Sequence, residues 1–451
     1  MHRLIRNCET VAILDEDCRD LPGGWIETRG GVIEAFGPAG SEPEGPFEET
    51  IDATGLVVTP GLVNTHHHFF QTLTRATPAA ANAELFQWLV THYPIWARID
   101  RDAMSAAATV ALGEMMLSGC TLSSDHHYLF SKNLTDPIDA AIESANALGV
   151  RFTATRGSMT LSEKDGGLPP DSVVQDEKTV LEDSARTIEQ YHDTSEGAMI
   201  QVALAPCSPF TVTQDLMRET SKMARAYKVR MHTHLAETLD EDEYCLAHFK
   251  VRPLQYLEDV EWLGSDAWLA HGVHFNPDEQ KKLGACRCGI AHCPSSNMRL
   301  ASGIARTLDY RANGIPLGLG VDGSASNDAS SLSAEARQAL LLGRIQYGAS
   351  ALTVEEVLRW ATRGGAEILG RPEVGRIAKG LRADLAFFPL DDIAFSGAVD
   401  PLAAIVLCGP ARVRKLMVEG RWVIEDGRLL HIDLGRTLEA HRAASKRIVN
   451  G

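Results

Sequence analysis

The sequence of 451 residues lacks both a long hydrophobic run and a run of basic residues. Its most apolar helix-like segment, "AAATVALGEMML", is short and contains Glu114, and the apolar run near the N-terminus is too short for a signal peptide. We therefore expect no membrane-spanning helix, no secretion and a cytoplasmic location. The formal net charge of −17, together with the absence of a Lys/Arg-rich run, speaks against binding to nucleic-acid polymers.

Two other patterns are missing. The nine cysteines show no disulfide framework, and their odd number, without a secretory signal, indicates a reducing compartment. No glycine-rich phosphate turn of the GxGxxG or Walker type occurs. An oxidoreductase that binds a nicotinamide or flavin phosphate is therefore disfavoured.

One pattern repeats eight times between residues 55 and 330: a short apolar run, a polar cluster, then an amphipathic segment with helical spacing. Examples of the runs are "CTLSSDHH", "VRMHTHLAET" and "IPLGLGVDGSASND". Apolar strands that alternate with helices predict an α/β fold, a parallel TIM-like (β/α)8 barrel. The alternative is a doubly wound open sheet, which would usually have fewer strands and a glycine-rich phosphate turn.

The two ends of the chain differ from the middle, because they contain short alternating runs and glycine-rich turns. We expect residues 1–58 and 372–451 to form one small β-sandwich domain built from both ends. Residues 59–371 would form the catalytic barrel. The segment "RTLEAHRAASKRIV" predicts a closing helix.

Three consecutive histidines follow the first predicted barrel strand, in "NTHHHFFQTL". Side chains alternate along a strand, so His66 and His68 face one side and His67 the other. Two imidazoles on one face can share a metal ion. An isolated HxH is equally typical of a polar strand end, so the other strand ends decide between these readings.

The fifth, sixth and eighth predicted strands also end in polar residues. In "VRMHTHLAET", His232 and His234 share a face and Glu237 follows, while His271 ends the sixth run and Asp322 the eighth. Imidazoles with one carboxylate suit Zn²⁺ or Fe²⁺ better than Mg²⁺ or Ca²⁺. Such an ion generates hydroxide near neutral pH, and a neighbouring carboxyl can move protons. The pattern predicts a metal-dependent hydrolase.

Several other histidines have a structural interpretation. We expect His67 to pack on the strand face opposite His66 and His68. The pair His126 and His127 in "DHHYLF" is as typical of residues near an active site as of an ordinary strand end. Those interpreted as structural are His232, His274 and His292.

The same residues resemble the amidohydrolase superfamily, in its mononuclear branch of nucleobase deaminases and triazine hydrolases. The motifs that carry the resemblance are "PGLVNTHHHFFQ", "HTHLAET", "LAHGVHF", "GVDGSASND" and, near the C-terminus, "VGRIAKGLRADLAFF". No lysine of the carbamate-bridged binuclear kind occurs in "VALAPCSP", which supports one metal ion. The loops "DHHYLF", "TRGSMTLSEKDGGLPP" and "CPSSNMRLASGI" most resemble deaminases of 8-oxoguanine.

The resemblance implies a set of roles and an activity. His66, His68, His234 and Asp322 would hold one divalent ion per chain, Zn²⁺ or alternatively Fe²⁺. Asp322 would take a proton from the attacking water, Glu237 would protonate the ring, and His271 would stabilise the tetrahedral intermediate. The reaction would convert 8-oxoguanine to urate and ammonia, in a homo-oligomeric enzyme whose partner is a small nucleobase.

Three further residues are predicted to contact the substrate. Gln71 can pair with a purine edge, Arg156 with a carbonyl oxygen, and Trp88 can stack on the ring or serve as a core residue. The alternative substrates are guanine, isoxanthopterin, isocytosine-like rings and s-triazines. A barrel that has lost catalysis is disfavoured, because such a relative would be expected to lack one or more of the ligands.

Overall fold

The computed structural model describes residues 1–15 and 20–451. The N-terminal part forms short strands that belong to two sheets outside the barrel. These strands are β1 (His2–Arg6), β2 (Thr10–Ala12), β3 (Asp20–Pro22), β4 (Trp25–Arg29), β5 (Val32–Gly37), β6 (Glu49–Asp52) and β7 (Leu56–Pro60).

The middle of the chain forms a closed barrel of parallel strands. Its strands are β8 (Leu62–Asn64), β9 (Cys120–Ser124), β10 (Arg151–Ser158), β11 (Ile200–Pro206), β12 (Arg230–Leu235), β13 (Ala267–His271), β14 (Gly289–His292) and β15 (Leu317–Leu319). The ring closes where Leu319 of β15 pairs with Asn64 of β8. All eight predicted strands are present, and the open-sheet alternative is excluded.

Helices connect and surround the barrel strands. Those before β13 are α1 (Leu85–Trp96), α2 (Arg101–Leu117), α3 (Pro137–Leu148), α4 (Glu177–Tyr191), α5 (Gln214–Tyr227), α6 (Leu239–His248) and α7 (Pro253–Asp259). Those after it are α8 (Pro277–Cys286), α9 (Pro294–Arg299), α10 (Thr307–Ala312), α11 (Leu332–Tyr347), α12 (Val354–Arg359), α13 (Gly365–Ile368), α14 (Pro401–Leu407) and α15 (Leu434–Asn450). Side-chain hydrogen bonds cap the helix ends; at the start of α2, for example, the Asp100 carboxylate accepts the Ala103 N–H. Within the described residues, no helix is both long and apolar enough to cross a membrane.

Both ends of the chain contribute to the sheets outside the barrel. The C-terminal strands are β16 (Leu385–Pro389), β17 (Lys415–Val418), β18 (Arg421–Glu425) and β19 (Arg428–Leu429). One sheet has the order β19-β18-β17-β16-β7-β2-β3 and the other β5-β4-β1-β6. Ile5 and Ile26 of the second sheet share an apolar cluster with Val11 and Phe387 of the first. The predicted fold class is confirmed, while the division at residues 58 and 372 stays a prediction.

The first predicted barrel run, "LVVTPGLVNTHHH", is two strands rather than one. β7 lies in the outer sheet between β2 and β16, and β8 begins the barrel. Pro60 has no N–H to donate, and a Cβ on Gly61 would lie 2.0 Å from Oγ1 of Thr121. The chain therefore passes from one sheet to the other at this dipeptide.

A buried ion cluster joins the amino end of β10 to the outer sheet. Arg151 is buried, and its Nε and Nη2 donate to the two oxygens of Asp384 at 2.7 and 3.1 Å. The same guanidinium contacts the carboxylate of Glu419. Because both partners are fixed by hydrogen bonds, the cluster sets how the barrel meets the sheet.

The predicted closing helix is α15, and it packs on the barrel helix α2 rather than on the sheets. Its His441 Nε2 lies 3.1 Å from Thr72 Oγ1, and the Ser445 hydroxyl donates to the Leu73 carbonyl at 2.6 Å. Both partners lie in the 3₁₀ turn Phe69–Thr74, which directly follows His68. The helix therefore supports the turn beside the predicted metal ligands.

Candidate metal centre and active site

The carboxyl ends of the barrel strands surround a cavity. Polar groups line its floor, whereas its walls are largely aromatic and aliphatic. The polar residues include His68, His234, Glu237, His271 and Asp322, and the apolar ones include Leu85, Trp88, Leu89, Phe210 and Leu300. Such a lining suits a planar, partly apolar ring.

The four residues predicted as metal ligands lie together. The Nε2 atoms of His66 and His68 are 3.3 and 3.2 Å from Oδ1 of Asp322. The Nε2 of His234 is 3.2 Å from that of His68. His67 turns the other way, as strand alternation predicts, and its Nε2 lies 2.9 Å from the Ser330 hydroxyl.

Backbone carbonyls orient two of these imidazoles. The Nδ1 of His68 lies 2.7 Å from the His126 carbonyl, and the Nδ1 of His234 lies 2.7 Å from the Cys207 carbonyl. Since a carbonyl can only accept, each Nδ1 carries the proton and each Nε2 presents a lone pair. The two lone pairs face each other across 3.2 Å.

A second histidine orients His66. The Nδ1 of His232 lies 2.9 Å from the Trp268 carbonyl, so His232 carries its proton there and accepts at Nε2. That Nε2 is 2.7 Å from Nδ1 of His66, which must therefore be the donor. The Nε2 of His66 is left with a lone pair, is buried, and has no hydrogen-bond partner among the residues that the structure describes.

The protonation states favour a cation between these groups. Burial lowers the pKa of His66 and His234 well below the usual range, so both rings are neutral. Burial alone would raise the pKa of Asp322, but contacts with His66 and His68 outweigh it and hold this pKa well below its usual range. The Nε2 atoms of His66, His68 and His234 and the carboxylate of Asp322 form a donor set that fits a divalent ion such as zinc.

Three residues at the ends of neighbouring strands have left-handed backbone. These are Ala236 after β12, His271 at the end of β13 and Asp322 after β15, with φ of 53, 72 and 62°. Each such non-glycine residue costs about 1–3 kcal/mol. Backbone hydrogen bonds hold them: the Asp322 N–H donates to the His66 carbonyl at 3.0 Å, and the Ala236 carbonyl accepts two N–H groups. The turns aim side chains into the cavity.

Glu237 and His271 form a pair beside the ligands. The Nε2 of His271 is 3.4 Å from Oε2 of Glu237 and 4.0 Å from Oδ2 of Asp322. Its Nδ1 lies 2.9 Å from the side-chain oxygen of Asn297, which orients the ring. Burial, with a contribution from the Asp322 charge, raises the pKa of Glu237 to about 8. Glu237 therefore holds a proton at neutral pH and can act as a general acid.

Two of the three predicted substrate contacts line the cavity. The Gln71 side-chain oxygen accepts the Ala325 N–H at 3.3 Å, and the side chain also hydrogen-bonds to Tyr128, another residue of the cavity lining. The Trp88 indole N–H donates to the Ala325 carbonyl at 3.1 Å. Both side chains are thus anchored to the segment that follows Asp322.

Arg156 does not reach the cavity, and we do not retain it as a substrate contact. Its Nε donates to Asp183 at 2.7 Å and its Nη2 to Gln175 at 2.9 Å. The guanidinium carbon also lies 3.9 Å from the centre of the Phe130 ring. A buried guanidinium needs such partners, and these partners draw the side chain away from the site.

Three site residues were not assigned from the sequence: His126, His232 and Glu241. His126 stacks on His234 with ring centres 4.5 Å apart, donates from Nε2 to the Ala205 carbonyl at 2.9 Å, and keeps a buried Nδ1 without a partner. The sequence feature that could have indicated a role for His232 is its position two residues before His234, on the same face of the strand. Its function depends on Trp268 and His66, which come from other strands.

Comparisons with known proteins identify relatives of this chain in sequence and in fold. The profile of the amidohydrolase family matches residues 57–423. The chain is 51% identical over 447 residues to 8-oxoguanine deaminase of Pseudomonas aeruginosa, covering 99% of each chain. It is 34% identical to isoxanthopterin deaminase from an unknown prokaryotic organism, covering 96% of this chain and 94% of the relative. The crystal structure of atrazine chlorohydrolase from Arthrobacter aurescens TC1, complexed with zinc, matches this chain with a TM-score of 0.93 and 32% sequence identity. The match covers 98% of this chain and 100% of that chain.

Proposed function

Because the chain belongs to the amidohydrolase family, we propose that it is a metal-dependent deaminase that converts 8-oxoguanine to urate and ammonia. The observation that carries the chemistry is the set of three imidazoles and one carboxylate next to Glu237, whose pKa is raised to about 8. The substrate assignment is supported by 51% identity to an 8-oxoguanine deaminase over 99% of both chains.

We propose that His66, His68, His234 and Asp322 hold one zinc ion per chain. A bound zinc ion lowers the pKa of a coordinated water towards neutrality and so supplies a nucleophile. The zinc-complexed relative of the same fold supports this choice over iron. His232 and the carbonyls of residues 126 and 207 keep the imidazole Nε2 atoms free for the ion.

The remaining steps belong to side chains of this chain. Asp322 takes a proton from the attacking water through Oδ2, which faces His271. Glu237 donates its proton to the ring nitrogen beside the amino-bearing carbon, so that this carbon can accept the new C–O bond. His271 donates from Nδ1 to the Asn297 oxygen and is neutral because burial lowers its pKa, so its Nε2 accepts a hydrogen bond from the attacking water and from the O–H group of the tetrahedral intermediate. Asp322 then passes its proton to the amino group, the hydroxyl proton of the intermediate returns to Glu237 as the new carbonyl forms, and cleavage of the C–N bond releases ammonia.

The upper part of the cavity positions the ring. Gln71 offers its amino group to an acceptor on the purine edge, because its oxygen is already paired with Ala325. Trp88 supplies an aromatic surface for stacking. The alternatives are isoxanthopterin, guanine, isocytosine-like rings and s-triazines. Isoxanthopterin and s-triazines are included because the chain is similar in sequence to isoxanthopterin deaminase and similar in fold to atrazine chlorohydrolase.

The direct test is turnover by the purified, zinc-loaded protein. We expect 8-oxoguanine to yield urate, followed by its absorbance, and one ammonia per turnover. Guanine, isoxanthopterin, isocytosine and a chloro-triazine serve as competitors, and Glu237→Gln as the inactive control. Turnover of another ring but not of 8-oxoguanine would keep the metal chemistry and overturn the substrate assignment. A protein that binds zinc and turns over none of these rings would overturn both.

A further inference from the structure

Glu241 is a second buried carboxyl group beside Glu237, and the proposed reaction leaves it without a role. It lies in the first turn of α6, lines the same cavity and is 1% exposed. Acidic residues are rarely so buried unless they are paired. The contacts of its two oxygens therefore need separate explanations.

One oxygen has an ordinary structural partner. The Oε2 of Glu241 accepts the backbone N–H of Glu237 at 3.1 Å. A glutamate at the third position of a helix commonly accepts a backbone N–H at the helix start. Here the accepted N–H belongs to Glu237 itself, directly after the left-handed Ala236. This contact helps to fix the proposed proton donor.

The other oxygen has no partner in the part of the chain that the structure describes. The Oε1 of Glu241 is buried and forms no hydrogen bond. Burial raises the pKa of this carboxyl to about 8, and backbone hydrogen bonds only partly oppose the shift. An unpaired acceptor on the cavity lining costs about 1–3 kcal/mol unless a ligand supplies a donor.

We propose that Glu241 is a substrate-binding residue whose Oε1 accepts a ring N–H of the bound purine. The inference rests on the proposed function. The keto form of 8-oxoguanine carries an N–H on each side of its C8 carbonyl, whereas guanine has a bare acceptor at one of these nitrogens. Near neutral pH the raised pKa keeps a proton on this carboxyl, so Glu241 must release that proton to solvent in order to accept a ring N–H, and the resulting carboxylate oxygen matches the oxidised ring better than guanine.

Two variants separate the functions of the two oxygens. Glu241→Gln keeps a carbonyl oxygen for the Glu237 N–H but replaces the other oxygen with an amino group. We expect its KM for 8-oxoguanine to rise about 10- to 100-fold, with kcat within about threefold of wild type. Glu241→Ala removes both contacts and should lower kcat as well. Glu243→Gln, an exposed site on the same helix, is the matched control and should leave both constants unchanged.

N-methylated 8-oxoguanines identify the N–H that Glu241 accepts. With wild-type enzyme, methylation at that nitrogen should lower kcat/KM, and with Glu241→Ala the penalty should shrink at least tenfold. An unchanged KM in Glu241→Gln would overturn the inference and leave the proposed function standing. An equal loss of kcat/KM on methylation in the wild type and in Glu241→Ala would do the same. A wild-type enzyme inert towards 8-oxoguanine would overturn both. Zinc content and thermal midpoint are measured for each variant, and the isosteric glutamine carries the test if the alanine variant does not fold.

Discussion

Replacing His232 with phenylalanine tests the proposed metal centre at a residue outside the predicted ligand set. In the wild type, Nε2 of His232 lies 2.7 Å from Nδ1 of His66. The His232 ring also stacks on Trp268, with centres 4.3 Å apart and planes at 10°. Phenylalanine retains a flat ring for this stack but offers no acceptor to His66. The change therefore retains the stack but removes the hydrogen bond to His66, together with the one that Nδ1 donates to the Trp268 carbonyl.

The expected loss of zinc affinity is about 10- to 100-fold, or about 1.4–2.7 kcal/mol. Two effects contribute. The Nδ1–H of His66 would be buried without an acceptor whenever Nε2 binds the ion, at a cost of about 1–3 kcal/mol. In addition, the His66 proton would no longer be held on Nδ1, so it could occupy Nε2 and compete with the ion.

The assay is a zinc titration against a chromophoric chelator at constant pH, with the thermal midpoint of the metal-free protein measured in parallel. His92→Phe is the matched control, because His92 is buried, stacks on Trp96 at 4.9 Å and donates to the Trp88 carbonyl at 2.8 Å. We expect the control to keep wild-type affinity. Wild-type affinity in His232→Phe, or equal losses in both variants, would refute the reasoning about His66.

Three further predictions concern the proton donor, the metal ion and the ion cluster. Glu237→Gln should keep its zinc but lose about 10²- to 10⁴-fold in kcat. Because burial raises the pKa of Glu237 to about 8, its proton is present below that pH and lost above it. The wild-type kcat should therefore fall as pH rises through about 8, and a flat profile from pH 6 to 10 would contradict the assignment. Removal of zinc with a chelator should abolish activity and lower the thermal midpoint, both restored by adding zinc but not Mg²⁺. Arg151→Met should lower the free energy of unfolding by about 3–5 kcal/mol, since Asp384 would remain buried without its partner, and Arg151→Met/Asp384→Leu should recover part of this loss in denaturant titrations.

The barrel and the converging ligands were predictable because both depend on periodicity. Alternation along a strand places His66 and His68 on one face, and parallel strands in a barrel bring their carboxyl ends together. The strand ends that carry His234 and Asp322 therefore meet those of the first two histidines. Only local pattern and one topological rule are needed for this result.

Other features depend on contacts between distant segments. The run around Pro60 is continuously apolar, so nothing in its pattern marks the passage between two sheets. Arg156 follows an apolar strand like the site residues, but Asp183 on α4 draws it away from the cavity. The role of His232 depends on the Trp268 carbonyl of the neighbouring strand, and no pattern within "VRMHTHLAET" indicates that contact.

Because α15 contacts the turn after His68, we expect the proposed metal centre to gain its full support only late during synthesis. His441 and its partner Thr72 are 369 positions apart. At the usual translation rates of about 5–20 residues per second, roughly 20–70 s pass between the two segments. Until α15 is made, the turn that carries Gln71 lacks its outer support. A nascent chain can therefore contain every metal ligand and still hold the first of them on an unsupported turn.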